Sequence, residues 1–187
     1  KDMRGITHMA VGAAGYLLLE PVIPGAGASA ISISAAALGA LLPDVDHPSS
    51  MLSRKMTPVM PGVRIGRLIS GALLVAAAVF ASLDPVLIGL GLFMILLTFC
   101  PHRGVTHSIV GLAVAGVLAW VFGPEVFYPV LIGYSSHLVA DLSTGGGIPL
   151  LWPWKQNFSI SMGRSGGIVD RVTCLVALLY LSIRTVG

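Results

Sequence analysis

Residues Val126–Leu142 read VFYPVLIGYSSHLVADL, an apolar run that carries an imidazole and a carboxylate in its last two turns. At helical periodicity His137 and Asp141, four residues apart, stack on one face and can chelate one ion. For this pair alone, a helix-terminal ion pair or a satisfied buried histidine is the plainer alternative. Polar groups of this kind cost free energy near hydrocarbon, so an apolar chain that keeps them has work for them.

Working outward, further apolar runs bounded by charge, Pro or Gly fall at about 6–23, 27–43, 67–83, 85–100, 106–122 and 168–186. The chain has 187 residues, of which 55% are hydrophobic and only 10% charged. Its mean hydropathy of +0.90 lies outside the range of soluble globular domains. These values predict an all-α, polytopic helical membrane protein, residues 1–187 forming one domain with about six or seven transmembrane helices. Several runs are shorter than the roughly 20 residues a crossing helix needs, so the first two are expected to tilt or to form an incomplete hairpin.

The net charge of +3 does not point to nucleic acid, because the basic residues are scattered among loops without interleaved aromatics. Alternating the loops between two sides places Lys1, Arg4, Arg54, Lys55, Arg64, Arg67, Arg103, Lys155 and Arg164 on one face. The other face holds Glu20, Asp84 and Glu125 with Arg184. The excess of Lys and Arg assigns the first face to the cytoplasm. Every acid- or histidine-bearing motif then falls at that face, although orientation was assigned from Lys and Arg alone. Cys100 and Cys174 form no CxxC pair and are read as packing residues. No cleavable leader is evident at the start of the sequence.

The motifs supply a metal-ligand chemistry. Leu41–Pro48, LLPDVDHP, places Asp44, Asp46 and His47 between two prolines that stop the helix and stiffen the exit turn. A polar membrane-exit turn would explain them too, but such turns on a positive face are rarely acidic. His102–His107, HRGVTH, sets two imidazoles five apart, too far round for one helical face, so His102 belongs to the loop and His107 to the turn after it. Arg103 between them offers paired donors to phosphoryl oxygens, or serves as a positive anchor. His8 lies in Thr7-His8-x-x-Val11-Gly12, which recurs as Thr106-His107-x-x-Val110-Gly111. Each copy precedes a helical hairpin ending at an Asp, Asp44 or Asp141, which suggests a parallel repeat of 6–46 and 105–143.

In the segment 143–167, Trp152, Pro153, Trp154 and Lys155 read as an interfacial stretch, able to hold a headgroup or only to anchor the loop. Gly145–Gly147 is not a phosphate-binding loop, since no GKS or GKT follows. No HExxH signature is present.

Four motifs together, the N-terminal Thr-His-x-x-x-Gly, LLPDVDHP, HRGVTHS and H-L-x-x-D-x-x-T-x-x-G-x-x-L-L-W-P, resemble the YdjM-like family of inner-membrane proteins, which is described as metal-dependent hydrolases distantly similar to zinc-dependent phospholipase C. The resemblance covers nearly the whole chain. It implies ligands at His8, Asp44, His47, His102, His107, His137 and Asp141, with Asp46 a further candidate. Where family members often carry Glu near the start of the last helix, this chain has Asp170.

The expected function is hydrolysis of a phosphoester bond in a membrane lipid or lipid-linked phosphate at the cytoplasmic face of the inner membrane. One or two divalent ions, zinc first and manganese or iron next, suit mixed imidazole and carboxylate donors. Asp46, or Asp44 if that is the one that does not bind metal, is the expected general base, Arg103 the stabiliser of the phosphoryl group, and Trp152, Lys155 and Arg164 the headgroup contacts. The rival reading is a metal-binding transporter or a membrane protein with a structural metal site; transport sites, however, lie near the midplane.

Overall fold

The computed structural model describes residues 5–46, 63–84, 86–99, 104–160 and 167–186. Among these residues the chain is all-helical, with seven α-helices: α1 Gly5–Leu19, α2 Ala30–Gly39, α3 Val63–Phe80, α4 Val86–Phe99, α5 Ile109–Trp120, α6 Pro124–Leu142 and α7 Ile168–Val186. Short 3-10 turns follow α1 at Glu20–Val22 and α2 at Leu42–Asp46, and another precedes α5 at Val105–His107. The only extended pairing in the described residues is an isolated bridge between Ile148 and Phe158.

Local chemistry explains the helix ends. Pro21, inside the turn after α1, lacks the N–H that a continuing helix would use. Ser29 caps α2, accepting from the Ser32 backbone N–H at 3.1 Å, while the Ser32 hydroxyl accepts from the Ser29 N–H at 2.9 Å. Ser108 caps α5 by accepting from the Gly111 N–H at 3.3 Å. Gly123 reaches φ +82 just before α6, and Pro124 then opens that helix.

Helices α1, α2 and α6 form the centre, with α7 against α1 and α5 against α6. Small residues let the backbones approach. A β-carbon on Gly39 would lie 2.7 Å from the Val130 carbonyl oxygen, and one on Gly133 would run into the Ala36 carbonyl. A β-carbon on Gly12 would lie 2.7 Å from that of Ala40. Such glycine contacts are the usual means of tight helix packing in lipid. Helices α3 and α4 pair in the same way through Gly71 and Gly91.

The predicted helix positions agree with the structure to within a few residues; α1, α2, α4 and α5 are shorter than their predicted runs, α3 and α6 slightly longer, and α7 coincides. Among the described residues no helix is both long and apolar enough to cross a membrane. At 1.5 Å per residue, the ten residues of α2 span only about 15 Å of a hydrocarbon layer about 30 Å thick. The longer helices are diluted by polar side chains: α3 by Arg64 and Arg67, α6 by Glu125, His137 and Asp141, and α7 by Asp170, Arg171 and Arg184.

Candidate metal centre

Five residues from four chain segments converge beside the α1–α2–α6 junction. His8 comes from the first turns of α1, Asp44 from the turn after α2, His107 from the turn before α5, and His137 with Asp141 from the end of α6. The side chains of His8, His107, His137 and Asp141 are almost completely buried, while that of Asp44 keeps 15% of its exposure. Access to the cluster is therefore from the Asp44 side.

Four of the five form a cage. The Nε2 atom of His107 is 3.6 Å from Asp44 Oδ1, 3.4 Å from Asp141 Oδ2 and 3.4 Å from His137 Nε2. His137 Nε2 lies 3.8 Å from the same Asp44 oxygen and 3.7 Å from the same Asp141 oxygen. Donors held tetrahedrally by zinc at about 2.0–2.1 Å stand roughly 3.3–3.4 Å apart. The separations around His107 and His137 begin at that value and exceed it by a few tenths of an ångström, so the two imidazoles with a carboxylate fit a small divalent ion. Imidazoles bind metal in their neutral form, so with an ion in place the two carboxylates, mostly shut off from water, would supply the negative charge that balances a divalent cation.

The backbone aims the ligands. The Nδ1–H of His137 donates to the Ala40 carbonyl at 2.7 Å, an assignment under which the Nε2 lone pair points into the cage. The glycine contacts that draw α2 against α6 bring Ala40 within reach. His107 Nδ1 lies 3.1 Å from the Thr106 hydroxyl, and the Thr106 carbonyl accepts a 2.5 Å hydrogen bond from the buried Tyr134 hydroxyl. Ser108 donates to the Val105 carbonyl at 2.6 Å while capping α5, which holds His107 in its own turn outside that helix. For Asp44, burial pushes the carboxyl up, but the His107 hydrogen bond and the charges of His137, His107 and His8 outweigh it and hold the group below the usual carboxylate range.

His8 stands at the cage wall. Its ring stacks on that of His137 with centroids 3.9 Å apart, and its Nε2 lies 3.9 Å from Asp141 Oδ1, the carboxylate oxygen turned away from the cage contacts. Neither ring nitrogen of His8 has a hydrogen-bond partner among the described residues. His8, His137 and Asp141 can hold an ion, and so can Asp44, His107 and His137.

The structure thus brings together five of the residues expected as ligands from sequence. His47 and His102 lie outside the described residues, as do Arg103 and Arg164. Asp46 closes the turn after α2. Trp152 is half-buried and packs with Phe93 against Val45, Leu97 and Val105, while Lys155 is exposed. The Ala40 carbonyl and the Tyr134 hydroxyl are additional parts of the centre. A carbonyl carries no sequence signal, and Tyr134 offers only its position three residues before His137 on one helical face.

Comparison with known proteins bears on this arrangement. The model of the YdjM inner membrane protein family matches residues 3–186. Inner membrane protein YdjM of Escherichia coli (strain K12) is 27% identical over 159 residues, covering 79% of this chain and 63% of that protein, and the Shigella flexneri protein of the same name aligns equally. The chain thus spans less than two thirds of the length of these two relatives. The uncharacterized protein YvsG of Bacillus subtilis (strain 168) is also 27% identical over 159 residues, covering 81% of this chain and 74% of its own. No solved structure matches the chain. With a match running through every helix described and through all five clustered side chains, the chain belongs to the YdjM inner membrane protein family.

Proposed function

We propose that the chain is a multi-pass, membrane-embedded, metal-dependent hydrolase that cleaves a phosphoester bond of a lipid or lipid-linked substrate, with its metal centre at the cytoplasmic side of the inner membrane. The observation that carries the metal reading is the cage of His107, His137, Asp44 and Asp141, with donor separations of 3.4–3.8 Å. Support for embedding comes from large apolar side chains left exposed around the helices, among them Leu73, Phe80, Phe99, Val117, Trp120 and Leu175.

His107, His137, Asp44 and Asp141 would hold the ion, and His8 stands beside them with His47 and His102 as further candidate ligands. A divalent ion bound there, zinc before manganese or iron, supplies a Lewis acid that polarises a phosphoryl oxygen and makes water more acidic. The protein's own part is to orient the imidazoles through Ala40 and Thr106, to exclude water on the buried side, and to admit substrate past Asp44. Asp46, two residues beyond Asp44, is the proposed general base, and Arg103 the donor to phosphoryl oxygens. Trp152, Lys155 and Arg164 remain the proposed headgroup contacts, with Trp152 acting from its place in the apolar cluster.

A closed structural metal site is the second reading, favoured by the almost complete burial of His8, His107, His137 and Asp141, since a structural site is closed by protein donors whereas catalytic zinc keeps a position open. One experiment separates the two. Metal-loaded protein is screened against phospholipids and isoprenoid phosphates, with the His137→Ala/Asp141→Ala double variant as control. Metal-dependent phosphate or phosphomonoester release, absent in the control, supports the hydrolase. Tight metal without turnover on any of these substrates favours the structural site.

A further inference from the structure

Helices α1, α6 and α7 leave between them a cleft of about 730 Å³, within the size range of sites that bury small molecules. Its walls are graded in polarity. One end is apolar but for Tyr128, at Leu19, Val22 and Leu131; the other carries Ser143, Thr144, Thr173 and the buried Asp170, with Ser135 and Ser136 between. The polar end is the end nearest the metal centre. Val11 in the wall is one turn from His8, and the Thr144 hydroxyl donates to the backbone carbonyl of Asp141 at 2.8 Å. The apolar end opens outward, with Leu19 44% and Val22 76% exposed. Along α6 the lining runs from Tyr128 to Ala140, about 18 Å at helical rise, more than the roughly 15 Å depth of one leaflet's hydrocarbon.

We propose that this cleft holds one acyl chain of a membrane phospholipid, tail toward Val22 and headgroup toward Thr144. A trough whose polar side chains increase from Leu19 and Val22 toward Ser143, Thr144, Asp170 and Thr173 matches an amphiphile in one direction. For a chain of an inner-membrane family, phospholipid is the amphiphile at hand. The inference rests on the lipid-phosphoester reading above and deepens it, because it names the part of the substrate that is bound.

The test uses the full chain purified in mild detergent, labelled with a phosphatidylglycerol that carries a diazirine near the end of one acyl chain. Wild type is expected to label on α1, α6 and α7. Gly15 lies in the cleft wall, and a β-carbon there meets only Ile132 Cγ2 at 3.8 Å. Gly15→Phe should therefore fill the cleft without moving a helix and reduce labelling by about tenfold or more, with metal content unchanged. Ile132→Trp should do the same, whereas Leu73→Trp, on an exposed face of α3, should label as wild type. Equal labelling of Gly15→Phe and wild type, labelling confined to α3 and α4, or recovery of a crosslinked second copy in place of lipid would each overturn the proposal. Metal content and turnover of a short-chain soluble phosphoester are read in the same samples. Labelling that behaves as expected with no metal or turnover upholds the lipid site and defeats the hydrolase; metal and turnover without cleft labelling do the reverse.

Discussion

Tyr134→Phe removes one oxygen atom at a distance from the cage and should still weaken metal binding. The ring sits in a cluster with Ala35, Ala115, Ala119, Val130, Leu138 and Ile148, and phenylalanine preserves that packing, so the cavity contribution is small. What is lost is the 2.5 Å hydrogen bond to the Thr106 carbonyl, within a turn where Thr106 also touches His107 Nδ1 at 3.1 Å. Losing one partner of a buried hydrogen bond costs about 1–3 kcal/mol of stability. Removing an outer partner of a metal ligand typically costs about 10–100-fold in metal affinity, which is about 1.4–2.7 kcal/mol. Affinity is measured by competition with a chromophoric zinc chelator, and stability by thermal unfolding with and without a strong chelator. Thr106→Val, which deletes the hydroxyl contact but keeps the carbonyl, should weaken zinc over the same range with a smaller loss of metal-free stability. Zinc affinity in Tyr134→Phe within about twofold of wild type, below the range expected for an outer partner, would refute the relay even if the protein were less stable.

Replacing His137 and Asp141 together with Ala should remove at least one metal equivalent while circular dichroism still reports a helical chain; full occupancy in that variant would exclude the pair as ligands. In a background with Cys100 and Cys174 changed to Ser, a cysteine at Ser50 should resist a membrane-impermeant thiol reagent in intact cells, whereas one at Glu125 should react, and the opposite pattern would invert the topology. Arg103→Lys should retain activity reduced by about one to two orders of magnitude, since the charge remains but the paired donor geometry is lost. Arg103→Ala should be worse with metal content unchanged, and wild-type activity in it would leave the arginine a topology anchor.

Much of the centre was legible because its residues carry their own chemistry. The spacing of His137 and Asp141 puts both on one face of α6, and the prolines around Asp44 mark a stiff turn at the end of α2. What spacing could not supply was which segments meet. The stacking of His8 on His137 joins positions far apart in the chain, and it depends on Gly12, Gly39 and Gly133 letting three helices approach. In a glycine-rich apolar sequence those glycines look like any others. The tryptophan segment shows the opposite limit. Amphipathic character alone does not say which tryptophan packs inward: Trp152 sits against Val45, Leu97 and Val105, while Trp154 is 71% exposed. The runs for α1 and α2 were too long because apolar composition continues past the points where Pro21 and the Ser29 cap interrupt hydrogen bonding. The two copies of the Thr-His motif also differ locally: His8 lies inside α1, but Ser108 caps α5 and leaves His107 in a separate turn.

The central claim is that His107, His137, Asp44 and Asp141 hold a metal ion. X-ray absorption at the metal edge of the chain, purified without chelator and paired with elemental analysis, tests it most directly. The account predicts one to two ions per chain, with only nitrogen and oxygen donors, at about 2.0–2.1 Å if the metal is zinc, and with the scattering of at least two imidazoles. Metal at trace level only, or a sulfur donor at about 2.3 Å, would contradict it.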